Sequence, residues 1–144
     1  MGPGFGKTWS NENCYAYALD LTGTSKDPGS GIFLENGQVD PAKLKAAIVA
    51  DGAAEVASPI EPAAGSQPGK RLIAFKCDSR GINYHVIRRD ETTGIWYSKT
   101  PLTMPGQYQE AQDFNPWQSD WNPRLMLTQQ GMLSVWIGYY WVKD

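Results

Sequence analysis

Two side chains have types and positions that could do chemistry together. Cys14 lies in the stretch NENCYAYAL, residues 11–19, and His85 is the one histidine of the 144-residue chain. With Ser10 or Asn11 as N-cap, a helix starts here and runs to the stop signal Gly23. If Asn11 is the cap, Cys14 stands at N3, where unpaired amides and the helix dipole favour a thiolate. His85 lies in YHVIRRD, a strand pattern, and faces the same way as Ile87. A helix-borne cysteine packed against a strand-borne histidine is a workable nucleophile and general base. The competing reading is plain packing: Cys14, Tyr17, Ala18 and Leu21 share one helix face, and a small buried thiol behaves as a hydrophobe.

The second cysteine, Cys77, alternates with Ile73 and Phe75 in RLIAFKCD and reads as a reduced core residue. A Cys14–Cys77 redox pair is the weaker alternative, because no CxxC motif exists. One His and two Cys lack metal-ligand spacing, so neither a metal nor a cofactor is expected.

The elements that must hold these residues follow from hydrophobic period and turn chemistry. DPAKLKAAIVADGA, residues 40–53, is the clearest helix: Asp40 caps it, Pro41 takes the first position and Gly52 ends it. Leu44, Ala47, Ile48 and Asp51 lie on one side. Residues 24–38 read as loop with a turn at Asn36-Gly37, and the Pro/Gly/Ala-rich residues 58–70 read as a connector. The period then changes to two. Residues 71–78 form a strand, 82–90 and 94–100 form a hairpin across ETTG, and 132–143 form a long aromatic strand. Residues 101–124 are irregular, with four prolines. Trp136 and Trp141 are five apart, which puts them on opposite faces of a regular strand. Residues 1–144 are expected to form one α+β domain: N-terminal helices, the nucleophile helix first, packed on one face of a C-terminal antiparallel sheet. Residues 1–9 read as a loose arm or a cloning remnant.

Hydrophobic residues make up 41% and charged residues 19%, a globular balance, and the net charge of −2 with no basic stripe argues against a nucleic-acid partner. No apolar run reaches the roughly 18 residues of a membrane helix. No signal peptide is visible, so export would need another route or a longer parent chain.

The segments NCYAYALD (13–20), LKAAIVADG (44–52), NYHVIRRDETTGIWYSKTP (83–101) and IGYYWV (137–142) resemble the papain-like, NlpC-type superfamily of bacterial cysteine hydrolases. The resemblance covers most of the chain and is poor over residues 102–131. It implies Cys14 as nucleophile, His85 as general base, and hydrolysis of an amide in a peptide or a peptidoglycan stem. A secreted effector or toxin domain, with a cognate inhibitor or immunity protein as partner, fits by analogy. A third polar residue orients the histidine in such sites. Relatives carry a histidine in a WSHK-like stretch of the return strand, where WYSK here places Ser98. Asp113 and Asn115 are the other candidates. The oxyanion hole would draw on the Cys14 amide and the side chain of Asn11 or Asn13. Protein deamidation uses the same thioester chemistry. A non-catalytic module binding peptide or sugar through its tryptophans is the alternative from another class.

Overall fold

The computed structural model describes residues 12–31, 34–35, 38–58, 60–77, 84–98, 106–107 and 135–144. In chain order these residues give α1 (Cys14–Ala18), a 3-10 turn (Pro28–Gly31), β1 (Leu34–Glu35), β2 (Gln38–Val39), α2 (Pro41–Ala50) and β3 (Ala54–Glu55). They continue with β4 (Lys70–Cys77), β5 (Tyr84–Arg89), β6 (Trp96–Ser98), β7 (Gly106–Gln107) and β8 (Val135–Lys143). Six strands make one antiparallel sheet in the order β3-β8-β4-β5-β6-β7, and β1 pairs with β2 separately. The architecture is α+β. Among the described residues, no helix is long and apolar enough to cross a membrane.

β4 is the hub. It lies between β8 and β5, and residues 71–77 are buried along its whole length. Its alternation sorts the interior into two layers. Ile73, Phe75 and Cys77 pack with Cys14, Tyr15, Ala18, Leu44, Ala47, Ile48, Val86 and Tyr140 on the face that both helices cover. Leu72 and Ala74 pack with Ile87, Trp96 and Tyr139 on the other face. Strand parity therefore decides which layer each residue joins.

α2 follows the expected chemistry. The Asp40 carboxylate accepts from the amides of Ala42 at 2.9 Å and Lys43 at 3.3 Å, Pro41 sits in the first turn, and Leu44, Ala47 and Ile48 are buried. The hairpin is also as expected: β5 pairs with β6, and Asp90 Oδ1 accepts from the Thr92 amide at 2.9 Å to shape the turn.

Three expectations are corrected. α1 has five residues and ends at Ala18, well short of Gly23, with Asp20 at φ 65°. Two strand side chains capture its last carbonyls. Arg71 Nε and Nη2 donate to Ala18 O at 3.0 and 2.7 Å, and Arg88 Nη1 donates to Tyr17 O at 2.7 Å. The chain itself closes the helix: with Asp20 left-handed, the Leu21 amide donates to Ala16 O at 2.9 Å and the Asp20 amide to Tyr17 O at 3.0 Å, and the two arginines add bonds to its last carbonyls. Next, the stretch 24–38 read as loop contains the 3-10 turn and the short β1–β2 pair. The turn at 36–37 lies outside the described residues.

Finally, Trp136 and Trp141 pack on the same layer. Between Phe75↔Gly138 and Lys76↔Trp136 the register shifts, leaving one extra residue in β8. Such a bulge inverts parity along the strand. Gly138, at φ +149°, takes a backbone conformation that side-chain-bearing residues rarely adopt.

Candidate functional site

Asn13, not Asn11, caps α1. Its Oδ1 accepts from the Ala16 amide at 3.0 Å, and Cys14 is the first helical residue rather than the third. A five-residue helix carries a small dipole. Burial dominates instead: it pushes the Cys14 thiol up to about 11, with Asp27's charge adding to the rise. The amides of Val86, Tyr15 and Cys14 itself pull in the other direction and do not prevail. Burial thus works against the lowered thiol pKa expected of a helix-start cysteine.

α1 docks on β5 through the side chains of even-numbered residues. Val86 packs with Cys14, and the Arg88 guanidinium lies 4.7 Å from the centroid of the Tyr17 ring. His85 is the odd-numbered neighbour. It pairs across the sheet with Lys76, while Val86 pairs with Phe75. Cross-strand partners share a face, so His85 points into the layer of Ala74 and Ile87. The thiol and the imidazole leave opposite sides of β5, and the expected sulfur–imidazole contact is not formed. Ile87 and His85 do face the same way, as the strand period predicts. The error lay in which face the helix covers.

His85 is 9% exposed, its Nε2 has no hydrogen-bond partner among the described residues, and burial pulls its pKa down to about 4. It is a neutral imidazole at ordinary pH. Ser98 ends β6 opposite Gly106, and its side chain lies outside the described residues. Asn11, Asp113 and Asn115 also lie outside them. Asn13 is placed, but its amide is already engaged: Oδ1 caps the helix, and Nδ2 donates to Asp27 Oδ1 at 3.3 Å. Neither Cys14 nor Cys77 is in a disulfide, and Cys77 is fully buried beside Phe75 and Ile73.

The polar groups that do gather at Cys14 are ones the sequence reading passed over. Tyr84 hydroxyl donates to Asp27 Oδ1 at 2.6 Å, the same oxygen that accepts from Asn13. Burial is the main reason the Tyr84 phenol is held well above its ordinary range, so it stays protonated. Asp27 sits in KDPGSG, where Pro and Gly mark a loop, and its partners are 14 and 57 residues away. Tyr84's even position on β5 was the available signal, because it shares the face of Val86. Around Cys14 the chain thus places backbone N–H groups, a neutral phenol and one carboxylate. Among the described residues, no three His, Cys, Asp or Glu side chains converge as metal ligands. Comparison of the chain with protein-family models, curated proteins and solved structures finds no match.

Proposed function

We propose that the chain is a cysteine-dependent hydrolase of amide bonds in peptides or peptidoglycan stems, of papain-like type, with Cys14 as its nucleophile. The observation that carries this reading is the placement of Cys14 as first residue of a capped helix laid against an antiparallel sheet. In the reaction, Sγ attacks the amide carbonyl carbon and the C–N bond breaks. The amine leaves with a proton, and water then cleaves the thioester. Backbone amides at the start of a helix are of the kind that stabilise a developing oxyanion. Deamidation would follow the same course with ammonia as the leaving group. As placed, His85 does not take the thiol proton directly, which counts against a Cys14–His85 dyad.

A second reading has observations of its own. A buried thiol with a raised pKa and a histidine on the far side of the strand suit a non-catalytic binding module. Trp136 and Trp141, both half-buried, lie on that far layer. Incubation with peptidoglycan stem peptides and a Gln-containing peptide library, followed by mass spectrometry, separates the readings. The hydrolase reading expects cleaved or deamidated products, lost by on the order of 10³-fold or more in a folded Cys14→Ala variant. Retention of ligand without turnover, equal in both proteins, would favour the binding module. Full turnover in the folded variant would remove Cys14 as nucleophile.

A further inference from the structure

We infer that residues 23–29 form a strap latched by Asp27 across the Cys14 end of α1, and that the thiol becomes reactive when this latch opens. Hydrogen bonds tie the strap to the start of α1, to β5 and to the end of α2. On the N-terminal side, the Gly23 amide donates to the Glu12 carboxylate, and the Lys26 amide donates to Asn13 Oδ1 at 3.3 Å. Asp27 Oδ1 then joins α1 to β5, accepting from Asn13 Nδ2 at 3.3 Å and from the Tyr84 hydroxyl at 2.6 Å. Beyond it, the Gly29 amide donates to Asp51 Oδ2 at 2.9 Å, at the end of α2.

Asn13 and Tyr84 approach the same oxygen from the helix that begins with Cys14 and from the strand whose Val86 packs on Cys14. The carboxylate is therefore held where its charge bears on the sulfur. Cys14 is only 9% exposed although it opens its helix. Residues 21–25 are exposed and bury little apolar surface, so lifting the outer part of the strap costs mainly the bonds of the Gly23 amide to Glu12 and of the Lys26 amide to Asn13. Release of Asp27 would then uncover the thiol and remove an unfavourable charge in one movement. For a cysteine acting as the proposed nucleophile, this makes the structure a closed resting state whose opening admits substrate. That functional meaning rests on the hydrolase reading, whereas the latch itself does not.

The test is the rate of iodoacetamide labelling of Cys14 in native protein at fixed pH, resolved by peptide mapping, with Cys77 as internal reference. Asp27→Ala is expected to speed Cys14 labelling about tenfold, in line with loss of charge-assisted bonds. Tyr84→Phe, which keeps the ring and removes one of those bonds, is expected to speed it less, with Cys77 unchanged in both. Unchanged Cys14 labelling in Tyr84→Phe, which keeps the Asp27 charge, would overturn the latch even if Asp27→Ala labels faster, because loss of that charge alone raises the thiolate fraction. So would equal acceleration of Cys14 and Cys77, which reports opening of the whole fold. Faster Cys14 labelling with no turnover of any peptide in wild type or variants would keep the latch and remove the hydrolase reading.

Discussion

Replacing Arg89 by methionine is expected to destabilise the protein by about 3–5 kcal/mol, the range for breaking a buried ion pair from one side. The guanidinium is 1% exposed. It meets Glu91 through two bonds, Nε to Oε2 at 2.8 Å and Nη2 to Oε1 at 2.7 Å. Nη1 donates to Glu61 Oε2 at 3.0 Å and to Pro62 O, and Nη2 donates to Ala63 O at 3.3 Å. Its carbon centre lies 5.8 Å from the ring centroids of both Trp96 and Trp141. Glu91 extends the network by accepting from the amides of Leu72 and Gly65, each at 3.0 Å. Methionine keeps much of the stem but offers no donor, so a carboxylate 12% exposed is left without its cation. The connector before β4 loses its anchor at the same time. Urea unfolding measures the loss, and limited proteolysis within residues 58–69 should accelerate. A loss below about 1 kcal/mol would mean that solvent already satisfies this network. One of the tryptophans offered by the binding-module reading, Trp141, is already covered by Arg89, which narrows the surface open to a ligand.

Lowering the pH from about 6.5 to 4 is expected to cost up to roughly 3 kcal/mol through His85 alone. Burial pulls the folded-state pKa down to about 4, while the unfolded chain titrates near 6.5. Between these values the unfolded state binds the proton and the folded state does not. Stability therefore falls as pH falls through this window, and it is recovered above the unfolded pKa. His85→Leu removes the titrating group and should flatten this part of the profile. At pH 7 the change should be close to neutral or mildly stabilising, because a polar atom with no partner among the described residues is replaced by an apolar one. A histidine poised beside a thiolate would be held protonated and would give the opposite slope. A wild-type profile that gains stability on acidification through this window would place His85 in a charged pair.

The parts of the fold legible in the sequence are those written by local chemistry. Asp40 and Pro41 mark the start of α2, and Leu44, Ala47 and Ile48 mark its inner side. The alternation of Ile73, Phe75 and Cys77 gives one face of β4, and the Asp90–Gly94 turn gives the hairpin. The illegible parts depend on partners distant in sequence. α1 stops at Ala18 where the chain turns left-handed at Asp20, a residue that is not a strong stop signal in sequence, and Arg71 and Arg88 reach its last carbonyls from the sheet. The Trp136–Trp141 spacing misleads because a bulge beside Gly138 inverts the strand's parity, and a glycine in such a run was the available sign.

At the candidate site the same distinction holds. Residue types singled out Cys14 and His85, and the period of two correctly joined His85 to Ile87. Nothing local says which face of β5 the helix covers, and that single choice separates the two side chains. It also brings Tyr84 and Asp27 to Cys14, a grouping that rests on a loop residue with no periodic signature.

The most direct measurement is the pH dependence of Cys14 alkylation from pH 4 to 11, in wild type and in His85→Ala, with Cys14 and Cys77 resolved by peptide mapping. A thiol buried at the helix start and unpaired with histidine should gain rate towards about pH 11, without a plateau near neutrality. The His85→Ala profile should overlay it in the range where that variant stays folded. A wild-type plateau between about pH 5 and 8 that disappears in His85→Ala would show a thiolate–imidazolium pair, contradicting the placement of these two side chains on opposite faces of β5.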